Sequence, residues 1–161
     1  EIAARGHEIG LHSVSHPHFS QLNDSQILSE LKDNAEMIEQ ITGYQPKLFR
    51  PPFGDYDNRS LELAEAAGYT AIQWSIDSLD WKDLSAAEIT SRVLKDIHAG
   101  DIVLFHNNGR HTAEALPVIL QKLQDQGLSI IPISDLLLTG DYYIDYNGVQ
   151  RSAGPKADPT A

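Results

Sequence analysis

With 161 residues, 41% hydrophobic and 22% charged, the chain has the length of one soluble domain with a real core. Its 23 acidic against 12 basic residues give a net charge of −11. That balance argues against a nucleic-acid partner or an anionic membrane surface, both of which need clustered Lys and Arg. The chain has no cysteine, which excludes thiolate metal sites, thiol nucleophiles and disulfides, and no apolar run has the length of a membrane-spanning segment.

Taken in chain order, Glu1 to Arg5 read as the last turn of a helix closed by Gly6. A domain rarely begins there, so the chain is expected to be part of a longer domain. "HEIGLHS" reads as a short strand. "NDSQILSELKDNAEMIEQITG" follows as a helix with Ile27, Leu31, Ala35, Ile38 and Ile41 on one stripe, an Asn23–Gln26 capping box and a stop at Gly43. "PKLFR" is a short strand and "PPFGDYD" a loop, since two prolines and a glycine stop regular structure. "NRSLELAEAAG" is a helix, "YTAIQWSI" a strand and "DSLDWKD" its exit loop. "SAAEITSRVLKDIHAG" reads as a helix from a Ser85–Glu88 capping box to Gly100. "DIVLFH" is a buried strand, "TAEALPVILQKLQDQG" a helix, "LSIIPIS" the last strand and "DLLL" the start of a short helix. Residues 1–138 are expected to form the functional domain. Residues 139–161 are expected to be a polar extension with a disordered end.

The alternation β-α-β-α-β-α-β-α-β predicts parallel strands in a barrel-like α/β fold. In such a fold the C-terminal ends of the strands share the face that carries the active site. Here four consecutive strand ends carry expensive polar residues: His12 and His16, then Arg50, then Asp77 and Asp80, then His106.

Each of these has a plain alternative. His12 and His16 are four apart, so one helical turn would aim both imidazoles at one ion, zinc or a similar divalent metal. The alternative is two surface histidines, which their strand-end position and the rigid Pro17 disfavour. Arg50, before a Pro-Pro turn, suits a carboxylate-orienting role, and N–H groups of that turn suit an oxyanion; the alternative is a surface arginine. An aspartate such as Asp80 beside an imidazole fixes its orientation for acid chemistry. Trp81 offers a ring on which a sugar can stack. A turn residue and a core tryptophan are the alternatives. His106 is either a core histidine or an acid facing the site. Ser13 reads as a brace of the His12 loop and Asp77 as a supporting residue. His7 and His18 read as structural or exposed, and His98 and His111 receive no role.

Together "HSVSHP", "RPPFG", "DSLDW" and "LFH", in this order, resemble the polysaccharide deacetylase (NodB-homology) family of carbohydrate esterases. The likeness covers about residues 1–138. It implies a distorted, incomplete (β/α) barrel, here lacking its N-terminal strand or strands. It also implies removal of N- or O-acetyl groups from a polysaccharide, with bacterial cell-wall glycan as first expectation, using a divalent ion, zinc first and Co, Ni or Mn next. By position, the resemblance makes His12 and His16 the metal-binding histidines and Arg50 the partner of the catalytic base. It makes Asp80 the residue that tunes the acid and His106 the general acid. Pro52, Phe53, Trp81, Leu104 and Asn107 would line the substrate site. Phe53 stands where the family usually has Tyr, and Asn107 where many members have Asp. The family's first motif, an Asp-Asp strand end that supplies the base and third metal ligand, does not occur before His12. A missing N-terminal segment of the same protein is the expected source. The resemblance also implies a site of action outside the cytoplasmic membrane. Two other functions stay open: a glycan-binding domain without turnover, and a metal-dependent hydrolase of small amides or cyclic imides.

Overall fold

A computed structural model describes residues 1–145 and 147–153. Residues 1–130 form one compact unit, and a second begins at Ile131.

In the first unit, helices and short parallel strands alternate. Helix α1 (Asp24–Thr42) starts at the expected capping box, in which Asn23 and Gln26 exchange side-chain and backbone bonds, and stops at left-handed Gly43. It is followed by β1 (Leu48–Phe49), α2 (Asn58–Ala66), β2 (Thr70–Ala71) and β3 (Ile76–Asp77). Then come α3 (Ala86–Leu94), β4 (Val103–Leu104) and α4 (Thr112–Asp125). β1 pairs parallel with β2, and β3 with β4. The first expected strand is reduced to Leu11, bridged parallel to Phe49; its N–H donates to Leu48 O and its carbonyl accepts from Arg50 N. Neighbours thus follow chain order, as in a (β/α) barrel, and the arc is open among the described residues.

Two apolar clusters support the arc. Leu11, Phe19, Ile27, Leu31, Phe49 and Ala64 pack under the first half. Ile89, Val93, Ala115, Ile119 and Leu123 join α3 to α4 under the second. Fully burying an aliphatic or aromatic side chain contributes roughly 1.5–3 kcal/mol, so these clusters hold the strand ends in place.

Four sequence expectations need correction. "YTAIQWSI" is not one strand. It bends between β2 and β3, where Trp74 packs beneath Gly54 and Ser75 turns to Asp101 and Ile102, so its two ends serve different neighbours. α3 ends at Leu94 instead of Gly100, because Asp101 accepts the His98 N–H in a competing turn. Ile41 ends the predicted stripe 80% exposed. "LSIIPIS" forms no strand among the described residues, and Ile130 is 60% exposed. An apolar run makes a strand only beside a partner edge.

In the second unit α5 (Ile133–Leu136) occupies the expected short helix. The extension contains an antiparallel hairpin, β5 (Tyr142–Ile144) with β6 (Gln150–Ser152), that the sequence reading missed. Asn147-Gly148 was its signal, a turn pair that tolerates left-handed backbone. The expectation of a disordered end concerns residues 154–161, which lie outside the described residues. No helix of the described residues is long and apolar enough to cross a membrane.

Candidate active site

His12 directly follows the Leu11 bridge, and its imidazole is fixed from behind: Nδ1 lies 2.7 Å from the carbonyl oxygen of Arg50. A carbonyl only accepts, so Nδ1 carries the proton and Nε2 keeps its lone pair for a ligand. Burial lowers the His12 pKa below the ordinary 6.5 and outweighs the bond to Arg50 O, which raises it; the charges of Arg50, His16 and His106 lower it further. The ring is therefore neutral at neutral pH, the form that binds metal. His16 stands beside it with the ring centroids 4.9 Å apart, edge to face.

No helical turn brings this pair together, contrary to the sequence expectation. Residues 12–16 form an irregular loop in which Ser13 (φ 69°) and His16 (φ 57°) take left-handed backbone. Ser13 Oγ accepts the His16 N–H at 2.9 Å and braces the loop. Two further left-handed residues, Phe53 (φ 60°) and Leu79 (φ 54°), sit in the next two strand-end loops. Each costs roughly 1 kcal/mol or more, and such strain gathers where a site over-determines its backbone.

Arg50 follows β1, half-buried, and burial pushes its pKa down. Among the described residues no carboxylate lies within ion-pairing distance of it. In the turn that follows, Pro52 is buried and Phe53 is 60% exposed. The Phe53 ring is stacked on His18 at 4.2 Å and meets His16 edge-on at 4.5 Å. Asp55 ties the two loops, accepting from Ser20 N at 2.9 Å, with His18 Nδ1 3.6 Å away. His18 thus has the structural place that the sequence reading left open for it.

The third and fourth strand ends meet at Asp80, which is almost fully buried. Its Oδ1 lies 2.8 Å from His106 Nδ1, and its Oδ2 accepts from His106 N at 2.9 Å and from Thr112 Oγ1 at 2.6 Å. Burial pushes the Asp80 pKa up, but bonds from His106, Thr112 and Ser78 together outweigh it and hold the carboxyl below the ordinary carboxylate range. Ionised Asp80 can only accept, so His106 Nδ1 is the donor and Nε2 is the free ring nitrogen. Trp81, 51% exposed, stands 6.4 Å from the His106 ring. Asp77 caps its own turn, accepting from Leu79 N at 2.9 Å. Leu104 is buried and Asn107 exposed. Thr112, and Gly109 packed against it, were not singled out from the sequence; a threonine at a helix start reads there only as helix.

The structure therefore gathers His12, His16, Arg50 and His106 into one neighbourhood, with Asp80 behind His106. Among the described residues no group of three His, Asp or Glu side chains that could hold a metal ion is present.

A model of the polysaccharide deacetylase family matches residues 1–72. A crystal structure of the Bc1960 peptidoglycan N-acetylglucosamine deacetylase superposes with a TM-score of 0.82 at 31% identity, covering 86% of this chain and 67% of that one. This chain belongs to the polysaccharide deacetylase family. Its fold is accordingly the incomplete NodB-type barrel that the strand-end motifs implied. A curated peptidoglycan-N-acetylglucosamine deacetylase of Bacillus cereus is 32% identical over 142 residues, 86% of this chain and 52% of the relative. The chain thus spans about half the length of that relative. BA3943 of Bacillus anthracis, described as a pseudoenzyme of carbohydrate esterase family 4, is 32% identical with a TM-score of 0.81, covering 84% of this chain and 48% of that one. A mutant of BA3943 with restored activity superposes equally well.

Proposed function

We propose that this polysaccharide deacetylase-family chain contributes to hydrolysis of N-acetyl groups on peptidoglycan, with residues 1–138 as the catalytic domain. The Asp80–His106 pair, within electrostatic reach of His12 in the His12–His16 pair, is the observation that carries this reading. His12 and His16 would hold a divalent ion, zinc first, through His12 Nε2 and the His16 ring. When bound, such an ion supplies Lewis-acid polarisation of a carbonyl oxygen. Asp80 orients His106 through Nδ1, which leaves Nε2 to deliver a proton to the departing sugar nitrogen as the acetyl C–N bond breaks. The amide nitrogen already carries one hydrogen, so the proton from His106 completes the free amine. Water supplies the oxygen of the released acetate, and its two protons leave, one of them restoring His106. The exposed ring of Trp81, near His106, gives an apolar face suited to a sugar ring, and Phe53 is exposed in the neighbouring loop. Similarity to deacetylases named for peptidoglycan supports this glycan over other acetylated polymers. Because peptidoglycan lies outside the cytoplasmic membrane, we propose that the protein works there too.

The likeness to BA3943, described as a pseudoenzyme, favours one second reading: a glycan-binding domain without turnover. Acetate release from peptidoglycan separates the two. The zinc-loaded protein is expected to release acetate, and His106→Ala to lose that activity. Glycan binding without acetate release would reject the enzymatic reading in favour of the second.

A further inference from the structure

The His12–His16 loop is held from one side by a single helix. Glu30 of α1 accepts three bonds from it: Oε2 from Val14 N at 2.7 Å and Ser15 N at 2.9 Å, and Oε1 from Ser15 Oγ at 2.5 Å. Asn34, one turn further along α1, accepts the His12 N–H at 3.1 Å through Oδ1. Residues four apart share a helix face, so both side chains reach the same loop. Between them Leu31, like Ile27 a turn before Glu30, is fully buried in the core, which makes the helix a fixed reference for the loop.

From these contacts we infer that Glu30 and Asn34 are positioning residues that set the separation and aim of the His12 and His16 imidazoles. The inference rests on the proposal that this pair holds a metal ion. The loop needs such support because it has no regular hydrogen-bond ladder and contains two left-handed residues, Ser13 and His16. With Ser13 Oγ on His16 N, the N–H groups of residues 12, 14, 15 and 16 each end on a side-chain oxygen. Among the described residues Glu30 forms no ion pair with Lys or Arg, and its three hydrogen bonds go to the loop. Several anchors on one carboxylate, carried by a packed helix, restrict two ligands more tightly than the short Ser13 brace alone.

The test combines zinc calorimetry with amide hydrogen exchange on the metal-free chain, for Glu30→Ala, Glu30→Gln and Asn34→Ala. Outer-shell partners of ligands typically change metal affinity about 10- to 100-fold, and that loss is expected for Glu30→Ala. Exchange at Val14 and Ser15 is expected to rise about tenfold or more while the amides of Leu31 to Glu39 keep their protection. Glu30→Gln keeps an acceptor for both N–H groups and a donor for the Ser15 hydroxyl, so its zinc affinity is expected within about threefold of wild type. Asn34→Ala is expected to raise exchange at His12. Unchanged exchange at Val14 and Ser15 in Glu30→Ala overturns the inference, as does zinc affinity in that variant equal to wild type. So does loss of protection along α1 in step with the loop, which would make Glu30 a general stabiliser. If wild type binds no zinc through His12 and His16, the metal proposal fails by itself, and the exchange data alone decide whether α1 sets the loop.

Discussion

Replacing Gly109 with alanine drives one methyl group into the support of the Asp80–His106 pair. The added Cβ would overlap Thr112 Oγ1 and lie 2.6 Å from Asp80 Oδ2 and 3.0 Å from Asp80 Cγ. Gly109 does not have positive φ, so the backbone itself accepts alanine and the whole effect comes from crowding. Relief requires Thr112 to swing away, which breaks its 2.6 Å bond to a buried, ionised carboxylate. A hydrogen bond to a charged group contributes roughly 1.5–3 kcal/mol, and overpacking costs about 1–3 kcal/mol. The reduced freedom of the unfolded chain returns about 0.4–1 kcal/mol. The net expectation is a loss of about 3 kcal/mol. At roughly 2–4 °C per kcal/mol for a chain of this size, Tm falls by about 6–12 °C. Thermal unfolding followed by circular dichroism measures it. Thr112→Ala removes the overlapping hydroxyl, so in a double-mutant cycle Gly109→Ala should cost at least about 1.5 kcal/mol less in that background. Additive effects, or a Gly109→Ala variant that melts with wild type, would refute the packing argument.

Asp80 also sets an acid dependence. Its folded pKa lies below the ordinary 3.8, so its stabilisation is present above pH 3.8 and is lost as pH falls through the lower, folded value. Asp80→Asn should therefore flatten the stability curve of the chain below about pH 4 in acid-unfolding measurements; an unchanged acid limb would contradict the assignment. Trp81→Ala should weaken binding of N-acetylglucosamine oligomers about tenfold, or 1.4 kcal/mol, in calorimetry while Tm shifts little, because the ring is half exposed.

The legible parts of this molecule are those written in local chemistry. Asn23 with Gln26 and Ser85 with Glu88 mark where two helices begin, because capping is a contact among near neighbours. His12, Arg50, Asp80 and His106 were legible as one group only because parallel strands end on one face. What the sequence hid depends on distant or conformational facts. Thr112 reaches Asp80 across 32 residues, and Glu30 reaches the His12–His16 loop across 15. Left-handed Phe53 and Leu79 carry bulky side chains that normally avoid that region, so nothing in their residue type announces it. The apolar run around Ile130 looks like a strand by composition, but pairing depends on a neighbouring edge that composition does not describe. The hairpin from Tyr142 was overlooked because polar and glycine content outweighed its short alternation.

Zinc titration of the chain by calorimetry, beside a His12→Ala, His16→Ala double variant, tests whether His12 and His16 hold a metal ion. One ion per chain is expected, bound by wild type and lost in the variant, with binding weakening as pH falls because protons compete with the ion for its ligands. Equal zinc binding by both proteins, or none by wild type, would contradict the assignment of His12 and His16 as the metal pair.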